Sequence, residues 1–146
     1  MQNKHQKIGG TSRVLGYAGR VLHVDLSSGK IWTEPLNEEL AKKYIGGIGL
    51  GMRLLLDHSK PGVDPFDPEN PLVLATGPLS GSMVPTGGNG HAFVSKSPHT
   101  FAMGEAKSHG HFGTEMKRAG YDAIIFHGKS EKPVYLWVDD DAVQLM

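Results

Sequence analysis

Three glycine-bearing segments hold the residues of this sequence that could do chemistry. The first is Gly46-Gly47-Ile48-Gly49-Leu50-Gly51, just ahead of a helical pattern. Glycines in that position let backbone N–H groups approach a phosphate closely. The run follows a helix rather than a strand, lacks the third spacing of the dinucleotide fingerprint, and has no lysine–hydroxyl pair after it. A helix–helix corner is therefore the competing reading. The second segment is Pro85-Thr86-Gly87-Gly88-Asn89-Gly90. It offers several N–H groups and one side-chain amide without charge, suited to a phosphate or a polar heterocycle, or simply to a turn. The third is Lys107-Ser108-His109-Gly110-His111-Phe112-Gly113. Lys107 can meet a phosphate as a point charge, and Ser108 can cap the helix that follows. His109 and His111 can ligate zinc if His91, His99 or His127 adds a third ligand, although no standard metal spacing is present. Solvated or core histidines are the alternative.

Acid–base and nucleophilic chemistry find little support. Glu105 and Glu115 are the only carboxylates in the glycine-rich half before Asp122. There is no G-x-S-x-G elbow, and Ser95-Lys96-Ser97 does not fit S-x-x-K. The 146 residues contain no cysteine. This stretch of polypeptide therefore has no disulfide, thiol nucleophile or thiolate-bound zinc, and no cysteine to hold an iron–sulfur cluster. Fifteen basic and 15 acidic residues cancel, so no electrostatic footprint for nucleic acid is present. Gly, Pro, Ser and Thr interrupt the weakly charged stretch 70–104, which cannot supply a membrane span of about 20 apolar residues. No secretory leader is recognisable in the polar, basic first residues. A cytoplasmic protein without nucleic-acid or membrane partners is the resulting expectation.

These segments need elements to position them. Residues 1–16 read as a flexible lead, and 17–146 as one domain. Leu22, Val24 and Leu26 alternate with Val21, His23 and Asp25, which is strand periodicity. Gly29 turns the chain into a second strand from Ile31, and Pro35 ends it. Asn37 is placed to cap a helix that opens with Glu38 and Glu39 and buries Leu40 and Tyr44. The glycine run should break that helix, with a further helix from Met52 to His58. Leu72–Thr76 and Ala92–Ser95 read as strands, Phe112–Arg118 as a helix ended by Gly120, and Asp122–His127 and Val134–Val138 as strands, with another beginning at Ala142. The sum is α+β: mixed sheet, short helices and glycine-rich loops.

Taken in order, these stretches resemble the N-terminal domain of the tungsten-dependent aldehyde:ferredoxin oxidoreductase family. The resemblance rests on the segment from Gly19 to Gly29, on Glu39 to Gly47, and on Gly49-Leu50-Gly51. It continues through Ala75 to Gly81, Pro85-Thr86-Gly87-Gly88 and Ser95-Lys96-Ser97-Pro98. It ends with His111 to Ile125 and Gly128 to Tyr135. The family implies a tungsten atom held by two pterin dithiolenes, often with magnesium bridging the pterin phosphates, and a nearby four-iron cluster. It implies two sheets forming a saddle under the pterins, with glycine-rich loops touching them. Aldehyde oxidation to a carboxylic acid would follow, with electrons leaving through the cluster to ferredoxin. Molybdenum in place of tungsten stays open.

The resemblance assigns cofactor contact to Gly87, Gly88, Asn89, Lys107, Ser108 and Gly110, and no catalytic residue or protein-held metal to this chain. Departures accompany it. Ile48 stands where the family commonly has an arginine, and Asn89-Gly90 stand where another follows the Pro-Thr-Gly-Gly run. Lys107 takes the place of an asparagine in the family's Ala-Asn-Ser-Gly-Gly. A protonated lysine cannot ligate magnesium, but it can neutralise a phosphate. A divergent branch resembling the tungsten subunits of aryl-CoA reductases is one implied alternative; a non-catalytic subunit or scaffold is another. The cluster cysteines and acid–base residues must come from other polypeptide, either further domains of a longer enzyme or a partner subunit.

Overall fold

The computed structural model describes residues 15–84 and 88–146. β1 (Arg20–Asp25) and β2 (Ile31–Pro35) form an antiparallel hairpin, then come α1 (Glu38–Tyr44) and α2 (Gly47–His58). β3 (Leu72–Thr76), β4 (His91–Lys96) and β5 (Met103–Ser108) precede α3 (His111–Arg118). β6 (Ala123–His127) and the hairpin β7 (Leu136–Asp139) and β8 (Ala142–Leu145) complete the order. The mixed α+β reading is correct.

Six strands form one sheet in the order β2-β1-β6-β3-β4-β5. β6 lies between β1, to which it is parallel, and β3, to which it is antiparallel. Strand alternation divides the core into two layers. Val21, Val73, Ala75, Val94, Ala123 and Ile125 face α1 and α2, packing on Ala41, Leu50, Leu54 and Leu55. Leu22, Val24, Leu74 and Ile124 face the other way, onto Met116 of α3, Tyr121 and the β7–β8 hairpin.

Asn37 caps α1 as expected, its Oδ1 accepting from the Glu39 and Leu40 amides at 2.8 and 3.2 Å. The helix buries Ala41, with Leu40 and Tyr44 only partly covered, which corrects the expected stripe. The glycine run ends α1 at Tyr44 as expected, but the next helix starts before Met52. Gly47, Gly49 and Gly51 lie within α2 and do not separate two elements. Packing is the physical reason. A Cβ on Gly51 would sit 2.8 Å from Val94 Cγ2, and one on Gly49 2.5 Å from the Tyr44 carbonyl oxygen. Side chains there would hold the helix off β4 and off the end of α1.

β5 had no sequence signal. Met103–Ser108 is exposed along nearly its whole length, so a buried face never imprints an alternation on it. Ser108 is the last residue of β5 and does not cap α3; the N-cap is Gly110, which makes no side-chain cap bond.

A buried junction ties the sheet together. The carboxylate of Asp122, 0% exposed, accepts from the Ala18 and Gly19 amides at 3.1 and 2.6 Å and pairs with Lys117 Nζ. Its backbone links β1 to β3: its N–H donates to Arg20 O and its carbonyl accepts from Thr76 N, both at 2.9 Å. Lys117 Nζ also lies 5.1 Å from the Tyr17 ring centroid. Tyr17 in turn donates to Ala41 O and Ile45 O at 3.0 and 2.5 Å.

Among the described residues, no helix is long and apolar enough to cross a membrane.

Candidate functional site

A cavity of about 430 Å³ opens where the N-terminus of α2 meets the loop after β3 and the paired ends of β4 and β5. Its walls are Ile45-Gly46-Gly47-Ile48-Gly49, Gly77-Pro78-Leu79-Ser80, Gly90-His91-Ala92 and Lys107-Ser108-His109. Lys107 is the one lysine or arginine in that lining, and no carboxylate is present.

The backbone at the helix end is prepared for an anion. Gly46, the N-cap, has no side chain to satisfy the first-turn N–H groups, and no acidic residue sits in that turn. Gly47, Ile48 and Gly49, which line the pocket, thus carry first-turn amides without an intrahelical acceptor at the positive end of a 12-residue helix. A Cβ on Gly47 or Gly77 would meet no atom within 4 Å. These two glycines leave room along the wall where a ligand can reach the main chain.

The chain reaches this helix through a strained turn. Ile45 has φ 63 and ψ −71, and Gly46 N donates to Tyr44 O at 2.8 Å, which together define a γ-turn of the rare, strained hand. Such a conformation costs on the order of 1–3 kcal/mol for a β-branched residue. The Tyr17 hydroxyl holds the Ile45 carbonyl from behind. Gly46 then passes so close to the β3 loop that an added Cβ would lie 2.6 Å from both Gly77 Cα and Thr76 O.

His91 contributes a buried imidazole, 8% exposed, whose Nδ1 has no hydrogen-bond partner. Burial, and secondarily the nearby His109, lowers its pKa below the ordinary 6.5. His23 and His127, elsewhere in the fold, move the same way through burial. The unfolded chain therefore takes up these protons before the folded chain does. Folding stability is fully present above about pH 6.5 and is lost as pH falls toward the depressed folded values. Urea midpoints measured from about pH 7 down to about pH 5 should decline, and less so in His91→Gln. A flat profile would contradict the burial of these rings.

The structure brings together part of the sequence-derived set. Lys107 and Ser108 line the cavity, and Gly90, at the place of a family arginine, joins them. Gly88 lies outside it and serves loop packing. Its carbonyl accepts from the Gly81 amide at 2.6 Å and the Thr114 hydroxyl at 3.1 Å, and a Cβ on it would meet Ser82 O at 2.8 Å. Asn89 is exposed and is not among the lining residues. Gly110, at φ 102, caps α3 behind the pocket. Gly87, with Pro85 and Thr86, lies outside the described residues.

Sequence reasoning did not place Gly77–Ser80 in the site, named His91 only as a possible zinc ligand, and left the Gly46–Gly49 run undecided. The usable signal was a glycine run leading straight into a helix. His109 and His111 do not gather a metal set; among the described residues the gathered imidazoles are those of His23, His58 and His127.

A family model described as the N-terminal domain of aldehyde ferredoxin oxidoreductase matches residues 21–146. The chain belongs to the aldehyde ferredoxin oxidoreductase family. It is 48% identical over 132 residues to the tungsten-containing aldehyde ferredoxin oxidoreductase of Pyrococcus horikoshii, covering 90% of this chain and 22% of that relative. It is 39% identical to a Pyrococcus furiosus protein named aliphatic sulfonate oxidoreductase, WOR-like subunit, covering 88% of this chain and 21% of that relative. Among solved structures, the active-site complex BamBC of benzoyl coenzyme A reductase with 1,5-dienoyl-CoA superposes with a TM-score of 0.85. That match has 39% identity and covers 90% of this chain and 20% of the other. The chain thus spans about a fifth of the length of these relatives.

Proposed function

We propose that residues 17–146 form the pterin-cradling domain of a tungsten oxidoreductase that converts an aldehyde to a carboxylic acid. The observation that carries this reading is the pocket at the α2 N-terminus, with unpaired first-turn amides, open glycine walls and one lysine. Those features fit an anionic, phosphate-bearing cofactor, and the identity to tungsten-containing relatives supports tungsten over molybdenum. Such a cofactor, when bound, supplies the two-electron redox chemistry, and the protein supplies binding, orientation and field.

This chain's part is binding. The amides of Gly47, Ile48 and Gly49 donate toward negative oxygen, and Gly77 and Gly90 keep the walls low. Lys107 supplies positive charge in a lining that lacks the family's arginines. Ser108 adds a hydroxyl beside it. Gly88 and Asn89 shape the neighbouring loop, and Gly110 sets the entry to α3. Magnesium would take its ligands elsewhere. The four-iron cluster, its cysteines and the acid–base groups belong to other polypeptide, with ferredoxin as the electron acceptor in the cytoplasm.

The likeness to the benzoyl coenzyme A reductase complex favours a second reading, in which the same cradle serves an aryl-CoA reductase. Lys107→Ala in the full-length enzyme tests the cradle. Removing a charge-assisted contact of about 1.5–3 kcal/mol should lower tungsten and pterin retention at least tenfold, with Lys107→Arg restoring much of it. Undiminished tungsten and pterin in Lys107→Ala would refute the lysine's role. Turnover of aldehydes against a dye acceptor, compared with turnover of aryl-CoA thioesters, separates the two readings. Absence of tungsten and pterin from the native enzyme would leave a scaffold.

A further inference from the structure

At the end of α2 opposite the pocket, roughly 17 Å away at 1.5 Å per residue, three imidazoles converge from three elements. His23 comes from β1, His127 from β6 and His58 from the last residue of α2. One ring nitrogen from each falls within 4.8 Å of the others. His23 and His127 stack at 5.3 Å with Nδ1 of His23 3.0 Å from Nε2 of His127, and His58 meets both rings edge-on at 5.1 and 5.6 Å. Trp32 stacks on His23 at 4.7 Å and on His127 at 5.6 Å, walling one side.

We infer that His23, His58 and His127 bind a zinc-type divalent ion, with Glu34 orienting His23 from behind. His23 is 1% exposed, and its Nε2 is buried without a hydrogen bond, although Glu34 Oε1 stands 3.0 Å from it. The His23–His127 contact uses one nitrogen of each ring, and the Glu34 carboxylate stands beside the other nitrogen of His23. Apolar side chains would fill the same space without the cost of burying polar nitrogens.

Metal ligation gives the three converging imidazoles a common purpose. With Nδ1 of His23 on the ion, its Nε2 carries the proton and needs only a small rotation to donate it to Glu34, the carboxylate–histidine–metal arrangement. Zn–N bonds of about 2.0–2.1 Å set tetrahedral ligand nitrogens roughly 3.3 Å apart. The His23–His127 separation is already close to this, and His58, half-buried at a helix end, is free to close the remainder. Three neutral nitrogens suit zinc, copper, nickel or iron and not magnesium or calcium, which want oxygen. Zinc is the member that needs no redox partner. Its place across β1, β6 and α2 makes it a clamp that fixes the helix end to the sheet.

The test uses the full-length protein, stripped with chelator and titrated with Zn²⁺ by calorimetry and by fluorescence of the stacked Trp32. Co²⁺ substitution serves as the spectroscopic probe. One saturable zinc ion per chain is expected in this domain, with visible Co²⁺ bands of a nitrogen-rich four-coordinate site. His58→Gln and His127→Gln should each weaken zinc at least tenfold, and Glu34→Gln by about 10–100-fold. His99→Gln, outside the cluster, should change nothing. His58 sits at the end of its helix, so this variant keeps the fold, and tungsten content read in parallel confirms it. Zinc affinity indifferent to both His58→Gln and His127→Gln, or no saturable binding, overturns the site whatever the tungsten result.

Discussion

Asp122→Ala should unfold this domain more readily than any other single exchange in its core, by about 3–5 kcal/mol. The carboxylate is fully buried and meets two amides and the Lys117 ammonium, whose side chain is itself 11% exposed. Removing it leaves a buried cation and two N–H groups without partners, which is the expensive way to break a buried pair. The damage lies where β1 and β6 begin and β3 ends, because the same residue's backbone joins Arg20 to Thr76. It also reaches the pocket, through Lys117 and Tyr17 to the Ile45 carbonyl. Asp122→Asn keeps the shape and an acceptor, and should lose less. Urea denaturation of the three proteins at neutral pH measures the order. Equal midpoints for wild type and Asp122→Ala would show that the junction is ornamental.

Gly46→Ala is the second large effect, and it separates function from stability. The backbone here is extended, φ 172, so alanine meets no conformational penalty. The penalty is space: the methyl group would sit 2.6 Å from two backbone atoms of the β3 loop, neither of which can rotate away. Overpacking of this kind costs about 1–3 kcal/mol, because the backbone must shift. The shift moves the first turn of α2 away from Gly77 and opens the pocket floor. Displacements near 1 Å at a reacting centre cost on the order of a hundredfold in rate. Enzyme activity and tungsten content should thus fall much further than the unfolding midpoint. Activity that falls only in proportion to the folded fraction would detach Gly46 from the site.

The fold was legible where a buried face imprinted a period. β1 shows its alternation because Val21 and His23 face one layer and Leu22 and Val24 the other. Asn37 declared the start of α1 through its capping chemistry. β5 was not legible, since neither face of it is buried and its pairing with β4 rests on backbone groups any residue carries. The glycines of α2 misled because helix propensity argues against them, while tertiary contact with Val94 and Tyr44 requires them.

Lys107 and Ser108 were legible as chemistry beside a phosphate-sized gap. Their neighbours in the pocket were not. Gly77-Pro78 reads as the end of a strand, and only the antiparallel pairing of β3 with β4 and of β4 with β5 carries it round to Lys107. Of the His23, His58 and His127 cluster, only His127 was named as a possible zinc ligand, and with other partners. Its members are separated by dozens of residues, and the parallel register of β1 with β6 sets Asp25, not His23, opposite His127.

That parallel register also governs when the domain can form. Val21 pairs with Ala123 and Asp25 with His127, so the centre of the sheet joins segments far apart in sequence. Until β6 leaves the ribosome, β2-β1 and β3-β4-β5 are two separate pieces, each with a bare inner edge. β6 is a keystone set last, and every contact it makes closes a long loop. Folding should accordingly be slow for a domain of this size. The interval before β6 arrives is when the nascent domain is most open to pairing with the wrong strand.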